Sequence, residues 1–213
     1  MKLYAFPPSP RSFKVMLAAD HLGLDYELRV VHLFKGEQNA PEIAALNPNR
    51  RMPVLCDDGY VLWESNAILQ YLASMLPEAG LLPEATRARL LVERWLFWES
   101  AHWDPACAVL AFENMVKPLL GKGAASAAEI DRGAGLFSRC AEVLERQLAA
   151  APFIAGDRLT VADLAIGASF VVADRARYPL ESYAAIRRWR GELAELPGWQ
   201  KAAEARAAVP FAA

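Results

Sequence analysis

Residues 2–31, KLYAFPPSPRSFKVMLAADHLGLDYELRVV, contain the alternation of elements that decides the fold. KLYAF (2–6) is a short apolar run that predicts a strand. Residues 11–22 carry apolar side chains at near-helical spacing and predict a helix that ends at Gly23. YELRVV (26–31) alternates and predicts a second strand. Strands joined in this way are parallel, with a right-handed crossover.

Strand signals continue to about residue 76. PVLCD (53–57) and YVL (60–62) predict a hairpin around Asp58-Gly59, a strong turn signal. A helix is predicted to follow from about Ser65. These elements belong to one small α/β domain, which we expect to cover residues 1–77.

Only helices are predicted in the rest of the chain. PEAGLLPE (77–84) is the plausible linker, and an all-α domain of residues 85–213 follows it. The capping box of Ser126 and Glu129 begins a helix with regular apolar spacing, and Pro105 is expected to kink or break the helix before it. The predicted helices cover 85–117, 126–150, a stretch from Thr160, and about 183–195.

The composition is that of a globular protein with no strong charge. Hydrophobic residues make up 54% of the chain, charged residues 23%, and the net charge is −2. No basic patch is available to attract nucleic acid, and no apolar run reaches the roughly 20 residues that span a membrane. The N-terminus, MKLYAFPPSPR, has too short an apolar stretch and too many prolines for a signal peptide, so we expect a cytoplasmic location. Cys56, Cys107 and Cys140 have neither disulfide nor metal-ligand spacing, so we expect reduced thiols and no metal site.

Ser9 lies between the first strand and the first helix and is followed by Pro10. Ser-Pro is a strong helix-start signal, with serine at the N-cap and proline at the first helical position. A hydroxyl at a helix N-terminus also suits an anion, since the helix dipole and unpaired N–H groups favour negative charge there. The local sequence leaves both interpretations open, a structural cap and an anion site.

The segment NPNRRMPVL (47–55) places Pro53 at the entrance to a strand. Such a proline can be trans and mark an edge, or cis, as in about 5–6% of X-Pro bonds, and then it serves a tight turn. In the second case the backbone N–H and C=O of Met52 could pair with an extended peptide beside the strand. One interpretation of this turn is therefore a peptide-binding edge.

WESNAI (63–68) places Glu64 and Ser65 at the exit of the hairpin and the start of a helix. One interpretation is capping by Ser65. The other is a carboxylate site, because exposed N–H groups and a hydroxyl suit a ligand carboxylate, while Glu64 could pair with an adjacent ammonium. Together these groups would recognise the zwitterionic head of an amino acid.

The segment FIAGDRLTVADLAIG (153–167) is interpreted as structural. Thr160 and Asp163 form a capping box, with the carboxylate at the third helical position. Leu159 and Leu164 occupy the positions of a hydrophobic staple. We therefore expect Asp163 to have no catalytic role.

In this order and combination, the serine after the first strand, the NP…MP turn, the ES helix start and the GDxLTxAD box resemble the cytosolic glutathione S-transferases. The sequence looks most like the serine-type bacterial, theta and phi-like members, from about residue 2 to 200. The resemblance implies a thioredoxin-like N-terminal domain, an all-α C-terminal domain and a homodimer. It also implies a transferase that conjugates glutathione, its co-substrate, to small apolar electrophiles, as in detoxification.

The resemblance also implies roles for particular residues. In such proteins a serine hydroxyl donates to the glutathione sulfur, and the matching position is Ser9, with Ser12 as the second candidate. Pro53 matches the cis-proline position, and Met52 before it would pair with the cysteinyl backbone. Glu64 and Ser65 match the pair that holds the γ-glutamyl end. The positions that match the glycyl end are Gln38, Asn39 and Arg51.

Two positions depart from the family pattern at the glycyl end. Arg50 stands where relatives of this type often have glycine, so the turn before Pro53 could be built differently. Gln38 and Asn39 lack the positive charge often found in their loop, which leaves Arg51 as the favoured partner of the glycyl carboxylate. Both departures concern the glycyl end more than the sulfur site.

The second substrate is predicted to lie between the two domains, on an apolar surface suited to an apolar electrophile. An alternative for Trp103, with Trp95 and Trp98, is packing in a domain interface or dimer core, which is typical of aromatics at helical spacing. The candidate wall residues are Phe6, Pro7, Phe34, Trp103, Ala106, Cys107, Val109 and Leu110.

Other functions could use the same fold. A glutathione-dependent isomerase, peroxidase or dehalogenase would use the same site, and a protein-binding module would keep the fold without catalysis. Glutaredoxin-like exchange is disfavoured, because no cysteine lies within residues 6–15 to form a mixed disulfide.

Overall fold

The protein is described by a computed structural model that covers residues 1–211. Internal contacts divide the chain into two compact units. The first contains Met1–Ala79 together with the segment from Glu195 onward, and the second contains Gly80–Ala194. The boundary between the units falls near residue 80, and the C-terminal segment packs with the first unit.

The first unit contains a four-stranded mixed sheet in the order β2-β1-β3-β4. Its strands are β1 (Lys2–Ala5), β2 (Glu27–Val30), β3 (Val54–Asp57) and β4 (Tyr60–Trp63). β1 and β2 are parallel, while β1–β3 and β3–β4 are antiparallel. The predicted strand–helix–strand unit and hairpin are both confirmed.

The hairpin turn has the conformation that its sequence predicts. Asp58 and Gly59 have φ values of 44° and 82°. Two consecutive positive φ angles are what a type I′ turn requires, and its backbone twist matches that of the flanking strands. The turn therefore fixes the register of β3 against β4.

Three helices accompany the sheet: α1 (Pro10–His21), α2 (Pro41–Leu46) and α3 (Ser65–Met75). α1 and α3 agree with the predicted helices. α2 was not predicted, because its six residues lie in a stretch rich in proline and asparagine and are too few for a helical period to be visible. Pro41 in its first turn is the one local signal of a helix start.

The second unit is helical throughout, and within residues 1–211 no helix is long and apolar enough to cross a membrane. Two five-residue π turns, Glu99–Trp103 and Phe112–Val116, join its first three helices. At Pro105, where a kink or break is predicted, the helix is interrupted by a π turn that ends directly before the helix that holds the proline. The helices are α4 (Thr86–Trp98), α5 (Asp104–Ala111), α6 (Lys117–Leu119), α7 (Ala127–Ala150), α8 (Val161–Gly167), α9 (Ala173–Ala176) and α10 (Ala184–Ala194).

The last helix, α11 (Pro197–Ala207), returns to the first unit and packs on α1. Gly198 allows this approach, because a Cβ at that position would lie 2.5 Å from the His21 backbone nitrogen. The Phe13 and Trp199 rings meet edge to face with centroids 4.9 Å apart. The predicted helices stopped at about residue 195, although Pro197 marks this helix start.

Candidate functional site

Pairing within the sheet brings three segments of the first unit to one edge. Tyr4 of β1 pairs with Val54 of β3, and Val54 pairs with Trp63 of β4 on the other side. The residues that follow β1, precede β3 and follow β4 therefore lie side by side. These segments lead to Ser9, contain Pro53 and contain the Glu64-Ser65 pair, respectively.

Ser9 occupies the N-cap of α1, yet its side chain makes no capping hydrogen bond. Its backbone is fully used, since its N–H donates to the Phe6 carbonyl at 2.8 Å and its carbonyl accepts from the Phe13 N–H at 2.9 Å. The residue is half-buried, with φ −76° and ψ 131°. The backbone thus starts the helix, and the hydroxyl remains available at its positive end.

Ser12 is arranged in the opposite way. It is fully buried, and its Oγ accepts the backbone N–H of Phe6 at 3.1 Å. The Ser12 hydroxyl therefore holds the loop after β1 through this hydrogen bond, at a position that solvent does not reach. Of the two candidate serines, the structure leaves only Ser9 accessible to a ligand.

The turn before β3 contains a cis Met52–Pro53 peptide bond, one of the two alternatives for this proline. The Met52 side chain is 5% exposed and packs in a small core with Val31, Ile43 and Val54. Within the described part of the chain, neither the N–H nor the C=O of Met52 has a hydrogen-bond partner. The backbone groups predicted to pair with a peptide are therefore uncommitted.

Asn47 holds this turn together, a role that the sequence analysis missed. The side chain is 3% exposed, donates to the Arg51 carbonyl at 2.8 Å and accepts the Asn49 N–H at 3.0 Å. Arg50 adopts φ 53°, the left-handed conformation that glycine takes most readily. Arg50 therefore has the backbone conformation that a glycine at this position would adopt.

Glu64 is the N-cap of α3 and has φ 72°, an uncommon angle for a residue with a side chain. Its carbonyl accepts the N–H groups of Ala67 and Ile68, both at 3.0 Å, and no side chain caps the helix. Ser65 is the first helical residue and is half-buried. The interpretation of Ser65 as the cap is therefore wrong, and its hydroxyl lies in the first turn of α3.

Lys14 places a positive charge next to this helix start, which the sequence analysis also missed. The residue is 2% exposed, and its Nζ donates to Asn66 Oδ1 at 3.0 Å. A lysine within the apolar stretch of α1 was the available signal, because a buried ammonium needs a specific partner. The cation lies against the residue that directly follows Ser65.

The candidates for the glycyl end lie apart in the sequence and differ in exposure. Gln38 and Asn39 belong to the single-turn helix Glu37–Asn39. Gln38 Oε1 is enclosed and has no hydrogen-bond partner within residues 1–211, whereas Asn39 and Arg51 are exposed. Their role as a carboxylate site stays a prediction.

The candidate walls for the second substrate fall into two groups. Phe6 and Phe34 meet edge to face at 5.7 Å in the first unit, and Pro7, which follows Phe6 in the sequence, is also buried. Trp103 is fully buried in the second unit, where its indole N–H donates to Ser169 Oγ at 2.9 Å. Ala106, Cys107 and Leu110 are at most 3% exposed, in the same unit. These helical residues are buried within the second unit itself, and a pocket role for them stays a prediction.

None of the three cysteines has the character of an activated thiolate. All are free thiols, and burial raises the pKa of Cys56, Cys140 and, well above its usual value, Cys107. Reactive cysteines have lowered pKa values in electropositive, accessible surroundings. The thiols of this chain therefore do not supply the nucleophile of the site.

Asp163 is a buried structural carboxylate, as predicted. It accepts hydrogen bonds from the backbone N–H groups of Ile154 and Thr160, both at 2.9 Å, and from the Trp189 indole at 3.1 Å. The Thr160 hydroxyl adds a fourth, at 2.9 Å. Burial raises its pKa, and the four hydrogen bonds oppose that rise. All of its acceptor capacity is spent on the protein itself.

Comparison with known proteins agrees with this geometry. The chain matches the glutathione S-transferase N-terminal domain over residues 1–74 and the C-terminal domain over residues 127–200. It is 37% identical to glutathione S-transferase 3 of Zea mays over 99% of this chain and 95% of that protein. Glutathione transferase F7 of Populus trichocarpa superposes with a TM-score of 0.87 at 28% identity, covering 96% and 98% of the two chains.

A further solved structure, the transferase URE2P6 of Phanerochaete chrysosporium, was determined in complex with oxidised glutathione. It superposes with a TM-score of 0.88 at 29% identity and covers 98% of this chain and 97% of that one. Both halves of the sequence and the fold thus agree with those of the family. The chain belongs to the glutathione S-transferase family.

Proposed function

We propose that this protein transfers glutathione to small apolar electrophiles and that the Ser9 hydroxyl stabilises the reacting thiolate. The observation that carries the proposal is the uncommitted hydroxyl at the N-cap of α1. A serine that only started a helix would direct its oxygen to the N–H groups of the first turn. In this chain the oxygen is left for another partner, at the edge of the sheet that also holds Met52 and Ser65.

The tripeptide would bind along this edge in an extended form. The N–H and C=O of Met52 would pair with the cysteinyl backbone, in the manner of an added strand. The γ-glutamyl end would lie at Glu64 and Ser65, where the positive end of α3 and the Ser65 hydroxyl suit a carboxylate and the Glu64 carboxylate suits an ammonium. Gln38, Asn39 and Arg51 are proposed for the glycyl carboxylate. Glutathione itself is supported as the ligand by the complex of the URE2P6 relative.

Stabilisation of the thiolate is within the reach of these groups. A free thiol with a pKa near about 8.5 is only a few per cent ionised at neutral pH, and lowering its pKa by about 2 requires about 2.7 kcal/mol. A helix N-terminus supplies about 0.3–1 kcal/mol. A hydrogen bond to a charged acceptor supplies about 1.5–3 kcal/mol. The hydroxyl donor is therefore the larger contribution.

In the reaction the thiolate sulfur attacks the electrophilic carbon. A carbon–sulfur bond forms as the leaving group departs with its bonding electron pair. Ser9 keeps its proton throughout, because its task is to donate a hydrogen bond to the sulfur. The charge that the sulfur loses is carried away by the leaving group, so no further base is needed after the thiol has ionised.

We also propose that two copies of the chain associate. The first unit exposes three large side chains of the edge strand β4: Tyr60, Val61 and Trp63, at 52%, 38% and 38%. The second unit exposes Leu90, Leu91 and Phe97 of α4, at 56%, 43% and 74%. Large apolar side chains exposed on an edge strand and on a helix fit surfaces that a partner covers, and an unpaired strand edge needs protection.

A cytoplasmic location is proposed on the state of the cysteines. Cys56, Cys107 and Cys140 are all free thiols. Thiols remain reduced in a cytosol kept at low redox potential, whereas secreted proteins of this kind tend to pair them.

The test is retention on immobilised glutathione together with turnover of an aryl halide. We expect the wild-type protein to be retained and to release halide. Ser9→Ala should still be retained but lose most of its rate. Unchanged turnover in Ser9→Ala would reject the role of the hydroxyl, and a folded wild-type protein that is not retained would instead favour a binding module without catalysis.

A further inference from the structure

A cavity of the second unit lies between α4 and α7 and contains none of the residues assigned to glutathione. Its volume is about 380 Å³, which is within the range of small-molecule sites. A second cavity of about 400 Å³ adjoins it and shares Trp98 and Val143 with it. The first cavity, which we name the α4–α7 groove, is lined by Arg94, Trp95, Trp98, Val143, Arg146 and Gln147.

Two tryptophans form the apolar wall of the groove. The Trp95 and Trp98 rings meet edge to face, with centroids 5.1 Å apart. Trp98 also stacks on Trp103, at 6.0 Å between centroids and 18° between the ring planes, and Trp103 is fully buried. The half-buried Trp98 ring is therefore held by the core of the unit. Such a wall suits a flat aromatic ring, because aromatic pairs are favourable both edge to face and in offset stacks.

Trp95 contributes an unused hydrogen-bond donor to this wall. The residue is 5% exposed, and within residues 1–211 its indole nitrogen has no hydrogen-bond partner. Buried indole N–H groups usually find an acceptor, and those of Trp103 and Trp189 in the same unit both donate to side-chain oxygens. An enclosed donor without an acceptor is costly, and an acceptor supplied from outside the chain would satisfy it.

The two arginines of the groove have no carboxylate partner in the part of the chain that the structure describes. Arg146 lies four residues after Glu142 on α7, a spacing that suits a helical ion pair, and yet the two are not paired. The same helix does pair Glu129 with Arg132. The Arg94 guanidinium lies 5.4 Å from the centroid of the Trp95 ring. Both guanidinium groups are thus free for an anion at the groove.

We propose that the α4–α7 groove binds a flat aromatic carboxylate and is distinct from the site of glutathione transfer. The ring of this ligand packs on Trp98 and Trp95, and its carboxylate accepts hydrogen bonds from Arg94 and Arg146. A carboxylate has acceptor capacity for both guanidinium groups and for the Trp95 indole N–H. The proposal does not depend on glutathione transfer, because none of these residues belongs to the candidate sulfur site.

Charge favours a small acid over a second copy of the chain as the occupant of the groove. The side chains proposed above for self-association, such as Trp63 and Phe97, carry no charge. Packed into the groove, they would cover the guanidinium groups of Arg94 and Arg146 and leave them without an anion, which is costly. A carboxylate compensates both charges instead.

Equilibrium dialysis with 2-naphthoate and the neutral 2-naphthamide tests the proposal. The two probes share one ring system and differ in charge. The wild-type protein should bind 2-naphthoate at least about tenfold more tightly, the effect of a hydrogen bond to a charged group. Arg94→Gln and Arg146→Gln should each lower the affinity for 2-naphthoate about tenfold and leave that for 2-naphthamide unchanged. Arg132→Gln is the matched control on α7 and should change neither affinity, because Arg132 lies outside the groove.

Two further variants separate the aromatic wall from the charge. Trp98→Leu should weaken the binding of both probes to the same extent, because both pack on its ring. Trp95→Phe keeps an aromatic ring but removes the indole N–H, so it should lower the affinity for 2-naphthoate about threefold to tenfold. Circular dichroism of each variant checks that it is folded.

Equal binding of the two probes by the wild-type protein, or full affinity for 2-naphthoate in Arg146→Gln, would overturn the proposal. Displacement of 2-naphthoate by saturating glutathione would also overturn it, because the probe would then occupy the transfer site. A folded wild-type protein that binds neither probe would overturn it as well. If Trp98→Leu then weakened self-association in sedimentation, the groove would belong to a second copy of the chain.

Discussion

The helix starts of the two units use similar residues in opposite ways. In the second unit, Thr160 and Asp163 form a closed capping box at α8, and the Ser126 hydroxyl accepts the Glu129 N–H at the start of α7. In the first unit, Ser9 and Ser65 stand at the starts of α1 and α3, and neither helix has a side-chain cap. The hydroxyls at these two helix starts of the helical unit are used within the fold, whereas those of Ser9 and Ser65 are not used as caps.

The comparison shows that a capping sequence does not by itself tell a cap from a site. Ser-Pro and Ser-Ala-Ala-Glu are both good start signals. The two differ in the hydrogen bonding of the serine hydroxyl: that of Ser126 accepts an N–H of its own helix, and that of Ser9 does not. This difference depends on the backbone around each serine. At Ser9 the neighbouring Ser12 already ties the loop from beneath, so the fold does not need a second hydroxyl there.

The largest effect is expected at the closed helix start. Asp163→Ala would remove the acceptor of three enclosed N–H donors, each costing about 1–3 kcal/mol when left unpaired. We therefore expect the free energy of unfolding to fall by at least about 3 kcal/mol, measured by urea denaturation. A loss below about 1 kcal/mol would show that the capping box contributes little to stability. The contrast between the helix starts of the two units would then not hold.

The next effect is expected at the open start of α1, and in activity rather than stability. Ser9→Ala should lower kcat/KM for glutathione transfer by about tenfold to 150-fold, since a hydrogen bond to a charged acceptor is lost. The free energy of unfolding should change by less than about 0.5 kcal/mol, because no cap is removed.

Ser12→Ala is the matched control for that variant. It leaves the enclosed Phe6 N–H without an acceptor, so we expect a loss of stability of about 1–3 kcal/mol. Its kcat/KM per folded molecule should fall far less than that of Ser9→Ala. The reverse pattern, with Ser12 controlling the rate, would exchange the roles of the two serines.

At the start of α3, Ser65→Ala should act on binding. We expect KM for glutathione to rise by up to about tenfold with little change in kcat, because the contact is to a part of the substrate that does not react. Steady-state kinetics at varied glutathione concentration measure this split. A fall in kcat at constant KM would place Ser65 in the reacting part of the site instead.

The smallest effect is expected at the start of α7. The Ser126 cap is long, at 3.4 Å, and only partly buried, so Ser126→Ala should cost about 0.5–1 kcal/mol of stability. Glutathione transfer by the folded variant should equal that of the wild-type protein. Loss of activity in this variant would show that caps of the helical unit also govern the site.

Much of this architecture follows from local patterns. The strand–helix–strand unit, the Asp58-Gly59 hairpin and the capping box at Thr160 are short-range features, and the structure has them where the sequence predicts them. The family resemblance likewise depended on short segments in a fixed order. Asp163 was correctly interpreted as structural from its spacing to Thr160 alone.

Features that depend on distant contacts were not predictable. The return of α11 to α1 needs the close approach of Gly198 to His21, residues far apart in the sequence. The choice between Ser9 and Ser12 rests on the Phe6 N–H, which only the folded loop brings to Ser12. Lys14 and Asn66 meet through packing of α1 near α3, so neither residue carries a local signal of the other.

The central claim is that the open start of α1 keeps the glutathione sulfur negatively charged, and titration of the bound thiol tests it most directly. Ultraviolet absorbance of the thiolate, followed against pH for the saturated complex, should give a thiol pKa about 2 below that of glutathione in solution. In the Ser9→Ala complex most of that shift should be lost. A bound thiol that ionises at the solution pKa in the wild-type complex, or equally readily in both complexes, would contradict the account.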